Sequence, residues 1–283
     1  MTLVISVATP DAVLQVSDRR FVWLDAQGRA TRRDDEANKA VVFCNRMAFA
    51  FTGLAQMGPM RQGTDEWMAS ILKDSRGQAQ ALEDLARAAT ERFRRPVIAR
   101  ISPQLRRHEF VAVGWARFPP GYDEFEPYIA AVSNVRDDAG IIGEVRDRFG
   151  GGKWRTSPER PWIINVAGQP LAEPAIEEVR RGVAAHLGGG ATVADLADLL
   201  INVVRETAKI NPLVGSGLLA TCLPRAAITP GDRSITMLAS EPMADVATFL
   251  YAPPGDDSRV SYGPIVACEG MVMSEFRLEA LGE

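Results

Sequence analysis

Thr2-Leu-Val-Ile-Ser-Val-Ala-Thr-Pro-Asp-Ala-Val-Leu-Gln-Val-Ser-Asp18-Arg-Arg20 is the stretch on which the reading of this chain turns. Residues 2–8 and 12–18 are apolar runs rich in β-branched residues, and Pro10-Asp11 separates them. That is the pattern of a strand, a tight turn and a returning strand. In a hairpin the end of the second strand lies beside the start of the first, so Asp18 is expected next to Thr2. Thr2 follows Met1, and a small second residue is what methionine aminopeptidase tolerates. Removal of Met1 leaves a threonine whose hydroxyl is a nucleophile and whose free α-amine is a base. An α-amine has a reference pKa of about 8 and is partly neutral near neutral pH.

Outward from this stretch, Lys39 opens a further apolar run, Ala40-Val-Val-Phe-Cys44, and Met47-Ala-Phe-Ala-Phe-Thr-Gly53-Leu-Ala55 follows. Lys39 is expected to approach Thr2 from a neighbouring strand. A lysine there helps the hydroxyl lose its proton, and Asp18 holds the lysine charged and oriented.

Thr2, Asp18, Arg20, Lys39 and the run Met47 to Ala55 resemble the proteasome β-subunits and the bacterial ring proteases, within the N-terminal-nucleophile (Ntn) hydrolases. The resemblance implies that Thr2 is the nucleophile, that Asp18 and Lys39 assist it, and that Gly53 offers its backbone N–H to an oxyanion. It also implies a role for Ser216, in Val214-Gly-Ser-Gly217. The segment Trp162-Ile-Ile-Asn-Val-Ala-Gly168-Gln-Pro170 and the two helical patterns after it stand where the family has a strand, a turn and two helices. Two positions depart from the pattern. Ala167 replaces the family's serine, and Ile210-Asn-Pro-Leu-Val214 carries no acid before Ser216, leaving Asn211 as the nearby polar residue. The step from Asp18 to Lys39 is also longer than usual, the extra chain falling in residues 24–33. The architecture implied is an α+β, four-layer αββα sandwich over 1–225, with residues 226–283 as a C-terminal β-extension on the same domain.

Composition sets the bounds. The 283 residues are 46% hydrophobic and 24% charged, enough to bury one large core, and the net charge of −4 gives no electrostatic case for nucleic acid. Arg92-Phe-Arg-Arg95 and the other basic clusters, some of them offset by acidic neighbours, read as solvated faces and strand ends. Cys44, Cys222 and Cys268 sit in apolar runs without a CxxC pair and read as buried thiols. His108 and His186 lie far apart without ligand spacing, so no metal or cofactor is expected. No signal peptide or membrane-length apolar stretch occurs, and the expected location is the cytoplasm.

The order of elements reads as strands, two helices, strands, two helices, strands, which favours an α+β layered arrangement. Helices are expected from Thr64, from about 78 to 95 with Pro96 as the stop, from about 171 to 187, and from 192 to 209 with Thr192 as N-cap. Gly150-Gly-Gly152 reads as a loop. Phe21-Val-Trp-Leu24, Glu109 to Trp115, Tyr128 to Ser133, Leu218 to Pro224, Ser234 to Leu238, Val246 to Tyr251 and Val260 to Cys268 read as strands, and Pro253 to Ser258 as a turn. Two functions from different classes fit. One is an N-terminal threonine hydrolase cleaving amide bonds, with a peptide or small amide as substrate. The other is an inactive proteasome-like subunit that serves assembly. A homo-oligomer is implied by the resemblance in either case, with a ring as one form.

Overall fold

The structure, a computed structural model, describes residues 2–24, 30–35, 37–44, 46–57, 62–117, 125–137, 139–225, 248–249, 260–262, 265–268, 270–273 and 277–279. The expected strand 234–238 and turn 253–258 lie outside the described residues.

The opening stretch forms the hairpin of β1 (Leu3–Ala8) and β2 (Ala12–Asp18), with Ile5 opposite Val16. The Thr9 amide closes the turn by donating to the Ala12 carbonyl at 2.9 Å. This hairpin is the centre of a five-stranded antiparallel sheet. Its order is β10 (Ile163–Gly168), β1, β2, β11 (Leu218–Pro224) and β12 (Thr248–Phe249). A seven-stranded sheet faces it, in the order β15 (Met271–Met273), β14 (Ile265–Cys268), β5 (Ala40–Phe43), β6 (Met47–Thr52), β7 (Glu109–Ala116), β8 (Glu126–Ser133) and β9 (Gly150–Arg155). Its pairs are antiparallel except β14 with β5.

Every residue of β1 and β2 is buried, because both faces of the sheet are covered. Leu3, Ile5, Leu14 and Val16 point to helices α4 (Glu173–Leu187) and α5 (Val193–Ile210), meeting Val179, Val183, Leu200 and Val204. Val4 and Val13 point the other way, into the layer between the sheets, with Ala48, Ala50, Val111 and Val113. The alternation in β6 shows the sorting by size. Met47, Phe49 and Phe51 face α1 (Thr64–Leu72) and α2 (Gln78–Phe93), while Ala48 and Ala50 lie where the two sheets approach. Some polar groups in that layer are paired, while Gln15 Oε1, Ser17 Oγ and Thr221 Oγ1 have no partner among the described residues. Gln15 Nε2 donates to Ser6 Oγ and to the Val111 carbonyl, both at 3.1 Å, and Trp115 Nε1 donates to the Leu223 carbonyl at 2.8 Å.

Thr192 caps α5 through a reciprocal capping box with Asp195, as the spacing implies. Other local expectations are corrected. Gly150–Gly152 is not a loop; it opens β9, the outermost strand of its sheet, where the missing side chains remove little packing. α2 ends at Phe93 before Pro96 is reached, and Pro96 starts a separate turn, α3 (Pro96–Ala99). Residues 260–268 are not one strand. β13 (Val260–Tyr262) pairs with β16 (Arg277–Glu279), and β14 joins the larger sheet. β3 (Phe21–Leu24) has a partner the sequence did not reveal, β4 (Ala30–Asp34), so the extra chain between Asp18 and Lys39 is a two-stranded excursion.

One polar tie holds the β1–β2 turn to α4. His186 Nδ1 lies 3.0 Å from the Ala191 carbonyl, and Nε2 lies 3.0 Å from Asp11 Oδ1. Both neighbours are acceptors, so only the imidazolium satisfies both. Burial lowers the His186 pKa, but the Asp11 and Ala191 bonds outweigh it and leave it above 6.5. A raised folded-state value means stability fully present below 6.5 and lost as pH rises through the folded pKa. Urea midpoints measured from about pH 5 to about pH 9 are expected to fall for the wild type relative to His186→Gln as His186 deprotonates. Parallel curves for the two proteins refute the charged tie.

Candidate active site

Thr2 immediately precedes β1. Antiparallel pairing puts Val4 opposite Ser17, so Asp18 returns to the strand start, and its Oδ2 accepts the Leu3 amide at 2.7 Å. Lys39 immediately precedes β5 and therefore belongs to the facing sheet. It reaches Thr2 from across the layer between the sheets, not from a neighbour in the same sheet. Its Nζ lies 2.8 Å from Thr2 Oγ1, 3.0 Å from Asp18 Oδ1 and 2.5 Å from the Arg20 carbonyl.

Three acceptors around Nζ match the three N–H bonds of an ammonium. Lys39 and Asp18 are both 0% exposed, and Thr2 is 2% exposed. Burial pushes the Lys39 pKa down, and the adjacent Asp18 carboxylate pulls against it. Asp18 is held by more than the lysine. The amides of Leu3, Arg20 and Gly215 donate to it at 2.7, 2.8 and 3.3 Å. A carboxylate with that many donors has one orientation, and it fixes the lysine in turn.

The Gly215 amide is brought there by Arg20. Its guanidinium donates to the carbonyls of Pro212 and Val214 at 3.1 and 3.0 Å and pairs with Asp35. That hydrogen bond from Arg20 holds the Asp35 carboxyl below the usual range. Arg20 thus staples the 212–214 segment beside the site. The sequence singled out Ser216 in this loop, but the group that joins the cluster is the Gly215 amide. Ser216 is exposed, and its side chain takes part in none of these bonds. Asn211 does not stand in for the missing acid; its Nδ2 donates to Gln169 Oε1 at 2.9 Å.

The far side of Thr2 is β10. Gln169 N–H donates to the Thr2 carbonyl at 2.9 Å, and Gly168, with φ +83°, lets the two backbones meet. Ala167 is buried in the layer between the sheets. Gly53 follows β6 with φ +109°, and its amide has no hydrogen-bond partner among the described residues. Glycines 168 and 215 were visible in the sequence, yet only as turn residues; their contacts with the Thr2 backbone and Asp18 are tertiary and leave no spacing signal. Among the described residues no three His, Cys, Asp or Glu side chains group to hold a metal, and no helix is long and apolar enough to cross a membrane.

Comparison with known proteins gives structural likeness without sequence matches. Solved structures similar to this chain include Anbu (ancestral beta-subunit) from Yersinia bercovieri, at 10% identity and TM-score 0.44, over 78% of this chain and 81% of that one. They also include eukaryotic HslV from Trypanosoma brucei, at 13% identity and TM-score 0.43, over 78% of this chain and 99% of that one. No family model matches the chain, and no curated protein matches its sequence.

Proposed function

We propose that the chain is an N-terminal threonine hydrolase that cleaves amide bonds through an acyl-enzyme. The observation that carries this reading is the buried contact of Lys39 Nζ with Thr2 Oγ1 at 2.8 Å and Asp18 Oδ1 at 3.0 Å. A lysine and an aspartate buried together beside one hydroxyl cost desolvation energy that a purely structural pair has little reason to bear.

In the proposed sequence the Met1–Thr2 bond is first cut, turning the Thr2 amide into an amine. The amine takes the hydroxyl proton, and Oγ1 attacks the substrate carbonyl. The Lys39 ammonium stabilises the developing alkoxide, and the Gly53 N–H is the donor for the tetrahedral oxyanion. Collapse breaks the C–N bond, the amine returns the proton to the leaving nitrogen, and an ester on Oγ1 remains. Water, deprotonated by the same amine, then releases the acid and regenerates Thr2. The hydroxyl is buried, so processing must also give the carbonyl access to Oγ1. A peptide is the substrate class we favour.

The same reading takes the layers of helices and sheets as the αββα sandwich of Ntn hydrolases. Residues 1–225 form the catalytic domain and 226–283 its β-extension, within a cytoplasmic, ring-like homo-oligomer. The second reading, an inactive assembly subunit, is favoured by one observation: Ser216 stands outside the cluster, and no acid supports it.

Intact-mass analysis is expected to show loss of Met1, and a peptide β-lactone is expected to add to wild type and not to Thr2→Ala. Retention of Met1, or equal labelling of the two proteins, sinks the hydrolase reading.

A further inference from the structure

His108 precedes β7 and is 1% exposed. Phe51 stacks on its ring with centroids 5.9 Å apart, and Phe110 and Phe93 meet it edge-on at 4.5 and 5.9 Å. Its backbone is tied twice to Asn134. The His108 amide donates to Asn134 Oδ1 at 2.9 Å, and the Asn134 amide donates to the His108 carbonyl at 3.2 Å. The ring therefore has one position.

Its Nδ1 accepts the Leu54 amide at 3.0 Å, which requires a lone pair there and puts the proton on Nε2. Nε2 is buried and has no hydrogen-bond partner among the described residues. Burial pushes the imidazole pKa down to about 3, so the ring is neutral and keeps this acceptor. A phenylalanine fills the same aromatic cluster without leaving a ring nitrogen unsatisfied. What the imidazole adds is the acceptor for Leu54.

That acceptor bears on Gly53. The Leu54 N–H belongs to the peptide that follows Gly53, the residue with φ +109° whose amide has no partner among the described residues. A Cβ on Gly53 falls 2.7 Å from His108 Nδ1 and 2.3 Å from the Arg107 carbonyl, so the ring and the glycine backbone are in direct apposition. We infer that His108 is a positioning residue: by holding the Leu54 amide it fixes the Gly53 backbone in the orientation that presents its N–H to an acyl oxygen on Thr2. This rests on the hydrolase reading of Thr2 and adds to it what keeps the donor in place. A donor contributes fully to oxyanion stabilisation only when held in position before reaction.

The test uses processed full-length wild type, His108→Phe and His108→Asn. Phenylalanine keeps ring volume and removes the acceptor; the asparagine Oδ1 stands close to the place of Nδ1. Two probes separate the roles. A peptide β-lactone reacts when Oγ1 adds to the carbonyl, an oxyanion forms and the ring C–O bond breaks, its oxygen leaving with the proton held by the Thr2 amine. A peptide vinyl sulfone takes Oγ1 on its alkene carbon and the proton on the neighbouring carbon, with no carbonyl oxyanion. His108→Phe is expected to slow lactone labelling about a hundredfold and vinyl sulfone labelling less than about threefold, with most of the lactone rate restored in His108→Asn. Equal slowing of both probes, or unchanged lactone labelling, overturns the assignment. If wild type reacts with neither probe, the hydrolase reading fails. In that event hydrogen exchange at the Leu54 amide still judges the geometry. Faster exchange in His108→Phe supports the restraint, and unchanged exchange overturns it.

Discussion

Replacing Lys39 by methionine is expected to lower stability by about 3 kcal/mol or more and to slow lactone labelling by about 10²–10⁴-fold. The stability loss follows from leaving the Asp18 carboxylate buried without its counter-charge. Its remaining donors, the amides of Leu3, Arg20 and Gly215, keep the loss from being larger. For a chain of this size the melting temperature falls by roughly 6–12 °C. The reactivity loss follows from removing the ammonium 2.8 Å from Thr2 Oγ1. The two effects separate in the double variant Lys39→Met/Asp18→Asn. It removes both charges, so thermal stability recovers much of the loss while labelling does not. A single variant that labels at the wild-type rate shows that the lysine serves the fold alone.

The second large effect is expected at Gly168. An alanine Cβ there lies 1.8 Å from the Thr2 carbonyl oxygen, far inside any real contact, and φ is +83°. The backbone has no slack on either side. Leu3 pairs with Gly168 across β1 and β10, and the Gln169 amide donates to the same carbonyl. Relief requires the end of β10 to leave β1, taking the Thr2 backbone out of register. Gly168→Ala is therefore expected to cost about 3 kcal/mol or more and to abolish labelling. Gly189→Ala is the control. Gly189 has a similar φ of +75° but open space around the added carbon, so it bears only the left-handed penalty of about 1–2 kcal/mol. Chemical denaturation of both variants measures the difference. Equal losses remove the close approach as the cause.

The hairpin was legible because β-branched runs flanking Pro10-Asp11 admit few alternatives, and antiparallel arithmetic then puts Asp18 beside Thr2. Helix α5 was legible for a similar local reason, the Thr192–Asp195 capping box. The approach of Lys39 to Thr2 was legible and the contact is present, but the direction of approach was not legible. Contacts between facing sheets have no period along the chain, so nothing in Lys39-Ala-Val-Val-Phe43 tells which sheet it belongs to. The staple from Arg20 to the 212–214 carbonyls joins segments far apart in sequence and was invisible for the same reason. Gly150–Gly152 misled because glycine is compatible with loop and strand alike, and only the pairing with β8 decides. Ser216 drew attention through its hydroxyl, when the group that meets Asp18 is the main-chain N–H one residue earlier.

The strand that follows Lys39 has β6 on one side and β14, from near the far end of the chain, on the other. On the ribosome, β5 therefore emerges long before its outer neighbour exists. Until translation reaches residues 265–268, its main-chain amides and carbonyls on that side form an open template for any other extended chain nearby. The border left open in that interval lies beside the residues proposed for its chemistry, and chaperone protection there has its greatest value between the emergence of β5 and that of residues 265–268.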